Sequence, residues 1–298
     1  MDYLVDTIAA VSTPYGKGGI GVIRVSGPEA IEITDSIFRA YGRKRLAEGK
    51  GYSMRLGTIS TGEVTIDEVI VLLFREPKSY TGEDVTEIQC HGGPIVLEII
   101  MKALSDAGAR IALPGEFTRR AVVNGRISLS EAEGIYELIS SVSKQGEQVA
   151  FSVSKGSLFQ ETMRMRALIL DLQAAITADI DFPEEDVEAI DETELKKTLG
   201  SLRGSLLKLV ESYETGLVML NGIKTTIAGK PNVGKSTIMN LLAGYEKSIV
   251  SPIAGTTRDI LEHQVQIEGV TLILSDTAGI HLAEDIVNRI GVEKHMKT

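Results

Sequence analysis

The feature that most constrains the fold is a glycine-rich stretch, Gly229–Ser236, with the pattern G-x-x-x-x-G-K-S. Residues 223–228 before it are rich in β-branched side chains, and residues 237–242 after it carry apolar side chains at helical spacing. A strand, a loop and a helix in this order are typical of a phosphate-binding loop, in which backbone N–H groups and the helix N-terminus surround an anion. We therefore expect Lys235 to reach the β- and γ-phosphates of a nucleotide and the Ser236 hydroxyl to ligate Mg²⁺.

Two later segments indicate a nucleotide switch. Asp276 directly follows the apolar stretch 270–275, where a carboxylate holds Mg²⁺ through water, and the N–H of Gly279 can bind a γ-phosphate. Thr257 lies between the helix of the loop and the next strand, where a threonine closes on Mg²⁺ and the γ-phosphate in the triphosphate state. Together the three segments predict a nucleoside triphosphate switch and favour GTP over ATP.

Composition narrows the class of protein. With 43% hydrophobic and 24% charged residues the chain is typical of soluble proteins, and 298 residues suggest two domains or three. The net charge of −10 argues against a basic nucleic-acid footprint, so an RNA substrate would depend on a partner or a local patch. The lack of tryptophan leaves few aromatic side chains on which single-stranded bases could stack. One cysteine excludes an internal disulfide framework and fits a cytoplasmic protein, and no apolar run is long enough to cross a membrane.

The patterns along the chain predict a multidomain protein of α+β and α/β class. Residues 1–118 mix strands with helices over 28–40 and 95–107, the second opened by Pro94. Strands are expected near residues 5–11, 21–25, 54–59, 68–74 and 88–90.

The middle of the chain is predicted to be helical. Residues 119–222 contain a helix starting near Leu129 and long apolar stripes over 163–180 and 192–220, typical of a helical bundle. Residues 223–298 carry the phosphate-binding loop, with strands over 263–267 and 270–275.

Three other features are interpreted conservatively. Gly16–Gly21 reads G-x-G-x-x-G, but a strand pattern follows instead of the helix that a dinucleotide site requires. The acidic stretch Asp179–Asp186 lacks a histidine and contains Pro183, so we interpret it as a turn before the next helix. Cys90 is expected to be a buried, small apolar residue.

Several short motifs resemble one family along the whole chain. They are TPYGKGG at 13–19, SYTGED at 79–84, HGGP at 91–94, PGEFTRRA at 114–121, GTTRD at 255–259 and DTAG at 276–279. The chain resembles the MnmE (TrmE) family of tRNA modification GTPases, within the TRAFAC class. The resemblance implies a folate-binding, dimerising N-terminal domain over 1–118, the first half of a helical domain over 119–222 and a P-loop GTPase domain from 223. Since the family pattern continues past Thr298, we expect the GTPase domain to be incomplete within these residues.

The resemblance also implies an activity. Members of the family are K⁺-dependent GTPases that form homodimers through the N-terminal domain and a heterotetramer or larger complex with the FAD-containing protein MnmG. The complex adds an aminomethyl or carboxymethylaminomethyl group to C5 of wobble uridine 34 in certain tRNAs. A tetrahydrofolate derivative, 5-formyl- or methylene-tetrahydrofolate, supplies the one-carbon unit.

Carried over to this sequence, the folate contacts are Arg24, Glu87 and Arg126. A carboxylate can pair with a pterin edge, and arginines can hold the acidic tail of folate. Spacing alone leaves two other interpretations open, with Arg24 as a surface residue of a strand and Glu87 as a solvated acid.

The resemblance implies more residues for the nucleotide site than for the folate site. The GTP contacts are Asn232, Val233, Gly234, Lys235, Ser236, Thr237, Ser251, Thr256, Thr257, Asp276 and Gly279. The K⁺ ligands are Asn232, Ser251, Ile253 and Thr256, and the Mg²⁺ ligands are Ser236 and Thr257. The residues that take part in hydrolysis are Lys235, Thr257, Asp276 and Asn288.

Asn288 is a departure from the family, which has a glutamate there that orients the attacking water. An asparagine can position water but cannot act as a base, although the nearby Glu284 or Asp285 could take the place of the glutamate. The sequence therefore specifies the hydrolysis mechanism less well than it specifies nucleotide binding. Two alternatives accompany the tRNA-modifying GTPase. One is a ribosome-associated GTPase that uses the same switch motifs, and the other is a folate-binding dimeric scaffold with a vestigial switch, which Asn288 would suit.

Overall fold

The structure is a computed structural model of the chain. It describes residues 6–42, 45–141, 143–181, 191–228, 233–235, 237–238, 241, 262–267 and 270–275. The chain divides into two compact units, residues 1–132 and 133–298, which are taken in turn.

The first unit is built on a seven-stranded sheet. Its strands are β1 Ile8–Val11, β2 Ile20–Ser26, β3 Phe38–Ala40, β4 Ser53–Thr61, β5 Val64–Phe74, β6 Val85–His91 and β7 Arg110–Ile111. Their order in the sheet is β3-β4-β5-β6-β2-β1-β7. Neighbouring strands are antiparallel except β1 and β7, which are parallel.

One face of this sheet forms the core with two helices. The helices are α1 Ala30–Ile37 and α2 Pro94–Asp106, and α2 has proline at its first turn as predicted. Side chains from alternate strand positions pack against both helices. They include Ile23, Val25, Val69, Val71, Leu73, Ile88 and Cys90. Cys90 is buried as expected, and burial, with the Asp67 carboxylate nearby, raises the pKa of its thiol to about 11.

The other face of the sheet is more accessible to solvent. The residues that alternate with the core positions define it, and we call it the open face: Val22, Arg24, Met54, Leu56, Ile70, Leu72, Glu87 and Gln89. The register aligns Met54, Leu72, Glu87 and Arg24 in one row across four strands.

The prediction of a helix over 28–40 is wrong at its C-terminal end. The helix stops at Ile37, and Phe38–Ala40 form β3, which pairs with residues 57–59 of β4. Burial of Phe38 and the close approach of Arg39 to Gly57, where a Cβ would collide with the Arg39 carbonyl oxygen, favour the strand. Helical periodicity cannot detect this long-range pairing. The glycine-rich segment Gly16–Gly21 leads into a strand, β2, so the strand predicted there is confirmed.

A buried arginine ties three segments of the first unit together. Arg120, on α3 Glu116–Val123, has a side chain only 1% exposed. Its Nη2 lies 2.6 Å from Asp6 Oδ1 and 3.3 Å from Glu116 Oε1, and its Nη1 lies 3.2 Å from Glu83 Oε1. Arg110 binds Asp6 and Glu116 from the other side. We call these five residues the ion cluster.

The cluster changes the titration of its acids. The hydrogen bond from Arg110 is the largest effect on Asp6 and lowers the pKa of that carboxyl. Burial raises the pKa of Glu116, but hydrogen bonds from Arg110, the Leu113 amide and Arg120 outweigh it, so the net pKa is lowered.

The helical segment begins at the end of the first unit. Its helices are α4 Leu129–Ser140, α5 Lys144–Ser154, α6 Ser157–Asp181 and α7 Glu192–Asn221. Ser128 and Glu131 form a capping box at α4, with Glu131 N 3.2 Å from Ser128 Oγ and Ser128 N 2.7 Å from Glu131 Oε2. The predicted helices over 163–180 and 192–220 are confirmed.

Helix α5 was not predicted from the sequence. Ser143 caps it by accepting a hydrogen bond from Gly146 N at 2.9 Å, and its hydroxyl donates to Met219 O on α7, also at 2.9 Å. A side chain at Gly146 would collide with the Met219 carbonyl oxygen, so glycine permits the close packing of α5 on α7.

The described part of the C-terminal segment is a three-stranded sheet. Strands β8 Ile223–Thr226, β9 Glu262–Ile267 and β10 Val270–Ser275 lie in the order β8-β10-β9. Strand β10 is parallel to β8 and antiparallel to β9. These strands agree with the predicted ones, and with the mixed first unit and the helical segment they confirm the multidomain α+β and α/β class.

Replacing Arg120 by methionine should strongly destabilise the first unit. The change leaves acids of the ion cluster without their buried cation, a loss of about 3–5 kcal/mol. Denaturant unfolding measures it, and Arg119→Met, at the neighbouring exposed position, is the matched control, expected within about 0.5 kcal/mol of wild type. Equal effects of the two substitutions would contradict the role given to the cluster.

The ion cluster also predicts an acid dependence of stability. Because the folded-state pKa values of Asp6 and Glu116 are lowered, their contribution is present above the unfolded values of about 4 and is lost as the pH falls through the folded values. The free energy of unfolding, measured from pH 7 down to pH 3, should fall less steeply in Glu116→Gln than in wild type. Glu63→Gln, in an exposed turn, should keep the wild-type slope.

Candidate functional site

Two of the three residues implied for folate form an ion pair on the open face. Arg24 on β2 is directly opposite Glu87 on β6. Arg24 Nε and Nη2 lie 2.9 Å and 2.7 Å from the same oxygen, Glu87 Oε1. Their side chains are 24% and 20% exposed, so the pair is half-buried and neither group is fully solvated.

Two aromatic rings contact the guanidinium of Arg24. Its Cζ lies 4.9 Å from the centroid of the Tyr80 ring and 5.6 Å from that of Phe117. Tyr80 belongs to the loop between β5 and β6, and Phe117 belongs to the first turn of α3. The rings are close enough for cation–π attraction, which restricts the orientation of Arg24.

The third implied residue, Arg126, lies beside the same loop. Its Nε donates to Ser79 O at 3.0 Å, directly before Tyr80. The neighbouring Asn124 donates from Nδ2 to Thr81 O at 2.8 Å. The structure therefore brings Arg24, Glu87 and Arg126 around one loop, although they are far apart in sequence.

This arrangement has the chemistry of a recognition site for a planar, polar ligand. A carboxylate accepts hydrogen bonds from adjacent N–H groups of a heterocycle, a guanidinium binds anions or carbonyl oxygens, and aromatic walls exclude water. These residue types fit a reduced folate, which has a donor-rich pterin edge and an acidic tail. The described residues contain no group of three His, Cys, Asp or Glu side chains arranged to hold a metal ion.

Tyr80 and Phe117 were missed by sequence reasoning. Both lie inside short motifs, SYTGED at 79–84 and PGEFTRRA at 114–121, which served only to establish the resemblance. The one available signal was an aromatic residue at the second position of the first motif and the fourth of the second. Nothing local indicated that both rings would contact a residue on β2.

The predicted phosphate-binding loop is described in part. Gly234 has φ +93°, a left-handed conformation that favours glycine, and Ile238 N donates to Gly234 O at 3.0 Å, as in the first turn of a helix. Lys235 and Thr237 lie in this helical turn, and Val233 is exposed directly before it.

The carboxyl ends of strands β8 and β10 lie side by side in the sheet. Thr226 at the end of β8 is in register with Ser275 at the end of the parallel β10. In sequence, Asp276 directly follows the end of β10, and the predicted loop begins at Gly229, three residues after the end of β8. Ligand-binding segments commonly follow the carboxyl ends of parallel strands.

The other predicted nucleotide and ion contacts lie outside the described residues. They are Asn232, Ser236, Ser251, Ile253, Thr256, Thr257, Asp276, Gly279 and Asn288. Within the described ranges, no helix is both long enough and apolar enough to span a membrane.

Comparison with known proteins identifies the family. Residues 7–126 match the family model described as the GTP-binding protein TrmE N-terminus, and residues 129–296 match the one described as the MnmE helical domain. The chain belongs to the MnmE (TrmE) family. The match to the MnmE helical domain covers more than half of the chain, and the TrmE N-terminal match contains all three residues of the candidate folate site.

Curated relatives in the MnmE family support this assignment. The chain is 44% identical to the tRNA modification GTPase MnmE of Acetivibrio thermocellus over 98% of its length, and 43% identical to that of Christiangramia forsetii over 97%. It is 43% identical over 98% of its length to the one from Caldicellulosiruptor saccharolyticus. The chain spans 64%, 61% and 64% of these MnmE proteins, respectively.

Proposed function

We propose that this protein is a K⁺-dependent GTPase that acts in tRNA modification together with the FAD-containing protein MnmG. The reaction adds an aminomethyl or carboxymethylaminomethyl group to C5 of wobble uridine 34, with a tetrahydrofolate derivative as the one-carbon source. The observation that carries the proposal is the family membership, since curated relatives 43–44% identical to this chain are named tRNA modification GTPase MnmE.

The C-terminal segment supports the GTPase part of the proposal. The loop Gly229–Ser236 follows β8, and its described end has the left-handed glycine and helical turn that a phosphate-binding loop needs. Lys235 would neutralise phosphate charge, while Ser236 and Thr257 would hold Mg²⁺. Asn232, with Ser251, Ile253 and Thr256, would hold K⁺, which supplies positive charge beside the phosphates.

The first unit supports the folate part. Glu87 would accept the N–H groups of the pterin edge, and Arg24 and Arg126 would hold carbonyl or carboxylate oxygens. The half-buried position of Arg24 and Glu87 keeps water from competing fully for these bonds. This unit is also the proposed dimerisation domain, and MnmG would contribute to holding the tRNA because the net charge of this chain is −10.

The GTPase proposal predicts hydrolysis that depends on K⁺. The purified full-length protein, with a complete GTPase domain, should hydrolyse GTP faster in K⁺ than in Na⁺ at equal ionic strength, and Lys235→Ala should abolish the difference. In cells that lack the protein, wobble uridine modification measured by mass spectrometry of tRNA should be lost. Normal modification would favour the folate-binding scaffold, which Asn288 suits, or a ribosome-associated GTPase.

The folate proposal predicts a specific binding defect. Calorimetric titration with 5-formyltetrahydrofolate should give a dissociation constant that rises on the order of tenfold or more in Arg24→Ala and Glu87→Gln, because each removes a charge-assisted hydrogen bond. Arg39→Ala, an exposed strand position, and Glu63→Gln are the matched controls and should bind as wild type does. Wild-type protein that does not bind the compound would rule out this part of the proposal.

A further inference from the structure

We propose that Tyr80 and Phe117 are positioning residues that fix Arg24 and thereby set the affinity of the site for its heterocyclic ligand. The inference rests on the proposed function, because the ligand is taken to be a reduced pterin conjugate. Neither ring needs to touch the ligand. Each acts by holding the guanidinium in one orientation against Glu87.

The first step is the geometry of the ion pair. Both bonds from Arg24 end on Glu87 Oε1, at 2.9 Å and 2.7 Å. Among the residues that the structure describes, none bonds Glu87 Oε2. The pair therefore offers a ligand one carboxylate oxygen as acceptor and the remaining guanidinium N–H groups as donors. This pattern fits a planar heterocycle whose edge carries neighbouring N–H and C=O groups.

The second step is the support of the rings. The Tyr80 hydroxyl lies 2.9 Å from Thr118 Oγ1, directly after Phe117. The carbonyl oxygens on either side of Tyr80, of Ser79 and Thr81, accept from Arg126 at 3.0 Å and from Asn124 at 2.8 Å. The loop that carries one ring is thus bonded at three consecutive residues to the segment that carries the other.

The third step links both rings to the ion cluster. Glu83 lies in the same loop as Tyr80, and Glu116 directly precedes Phe117. The buried Arg120 binds both acids, at 3.2 Å and 3.3 Å. The two rings are therefore carried by backbone segments that are bonded to one buried cation, which restricts how far the rings can move relative to each other.

The consequence is a pre-organised site. An arginine side chain has many rotamers, and fixing it on binding lowers affinity. Because the rings already restrict the Arg24 side chain in the free protein, ordering this side chain adds little entropic cost when the ligand binds. Arg126 has a second role in this arrangement, because its bond to Ser79 O supports the loop of Tyr80.

A double-mutant cycle tests the inference. The dissociation constant for 5-formyltetrahydrofolate is measured by calorimetry for wild type, Tyr80→Leu, Phe117→Leu, Arg24→Ala and the two double variants. We expect each leucine substitution to weaken binding about tenfold in the wild-type background and less than twofold in the Arg24→Ala background. Tyr80→Phe, which keeps the ring, should stay within about threefold of wild type.

Two outcomes overturn the inference while the proposed function stands. One is equal weakening by Tyr80→Leu with and without Arg24, which would mean that the ring touches the ligand directly. The other is unchanged binding in both leucine variants. Wild-type protein that fails to bind 5-formyltetrahydrofolate overturns the proposed folate function and this inference together.

A second measurement needs no ligand and tests whether the two rings contact the Arg24 guanidinium in the folded protein. The Nε–H proton of Arg24, observed by NMR, should be shifted upfield by the two rings. We expect the shift to be reduced in Tyr80→Leu and in Phe117→Leu and retained in Tyr80→Phe, with the rest of the spectrum showing a folded chain. The hydrogen bond to Glu87 shifts the same proton downfield, so the comparison with the variants is decisive. An Arg24 chemical shift that is the same in wild type and in both leucine variants would contradict the contact.

Discussion

The interaction on which the first unit depends is the burial of the Arg120 guanidinium among three acids. A buried charge is tolerated only when it is paired and hydrogen-bonded, so Asp6, Glu83 and Glu116 must converge on it. Their convergence fixes the backbone at Asp6, the β5–β6 loop and α3 relative to one another. Tyr80 and Phe117 lie on two of these three segments. The convergence of the three acids on Arg120 therefore also helps to hold the two aromatic rings against Arg24 on the open face.

Much of the fold could be predicted from local sequence patterns. Pro94 and the apolar spacing after it predicted α2, and the apolar stripe over 192–220 predicted α7. The strands predicted before and after the phosphate-binding loop matched β8, β9 and β10. The errors have a common cause. Phe38–Ala40 became a strand through pairing with β4, and α5 is stabilised by the bond from Ser143 to Met219. Both depend on partners distant in sequence, which periodicity does not reveal.

The candidate folate site was also only partly predictable from the sequence. The chemistry of Arg24, Glu87 and Arg126 came from the resemblance to the MnmE family, whereas spacing alone left Arg24 and Glu87 open to ordinary surface roles. The register of β2 and β6 places these two opposite each other, and a hydrogen bond places Arg126 beside the same loop. No sequence pattern identifies a ring that packs on an arginine from another element, so Tyr80 and Phe117 emerged only from the structure. The predicted nucleotide site is easier to identify from sequence, because a phosphate-binding loop is built from consecutive residues.

The central claim is that the open face of the first unit holds a reduced folate against Arg24 and Glu87 while the rings keep Arg24 in place. The most direct measurement is a crystal structure of the chain with 5-formyltetrahydrofolate bound. The account predicts the pterin edge on Glu87, with the Arg24 guanidinium still against Tyr80 and Phe117. A ligand bound away from Glu87, or an Arg24 side chain turned away from both rings, would contradict it.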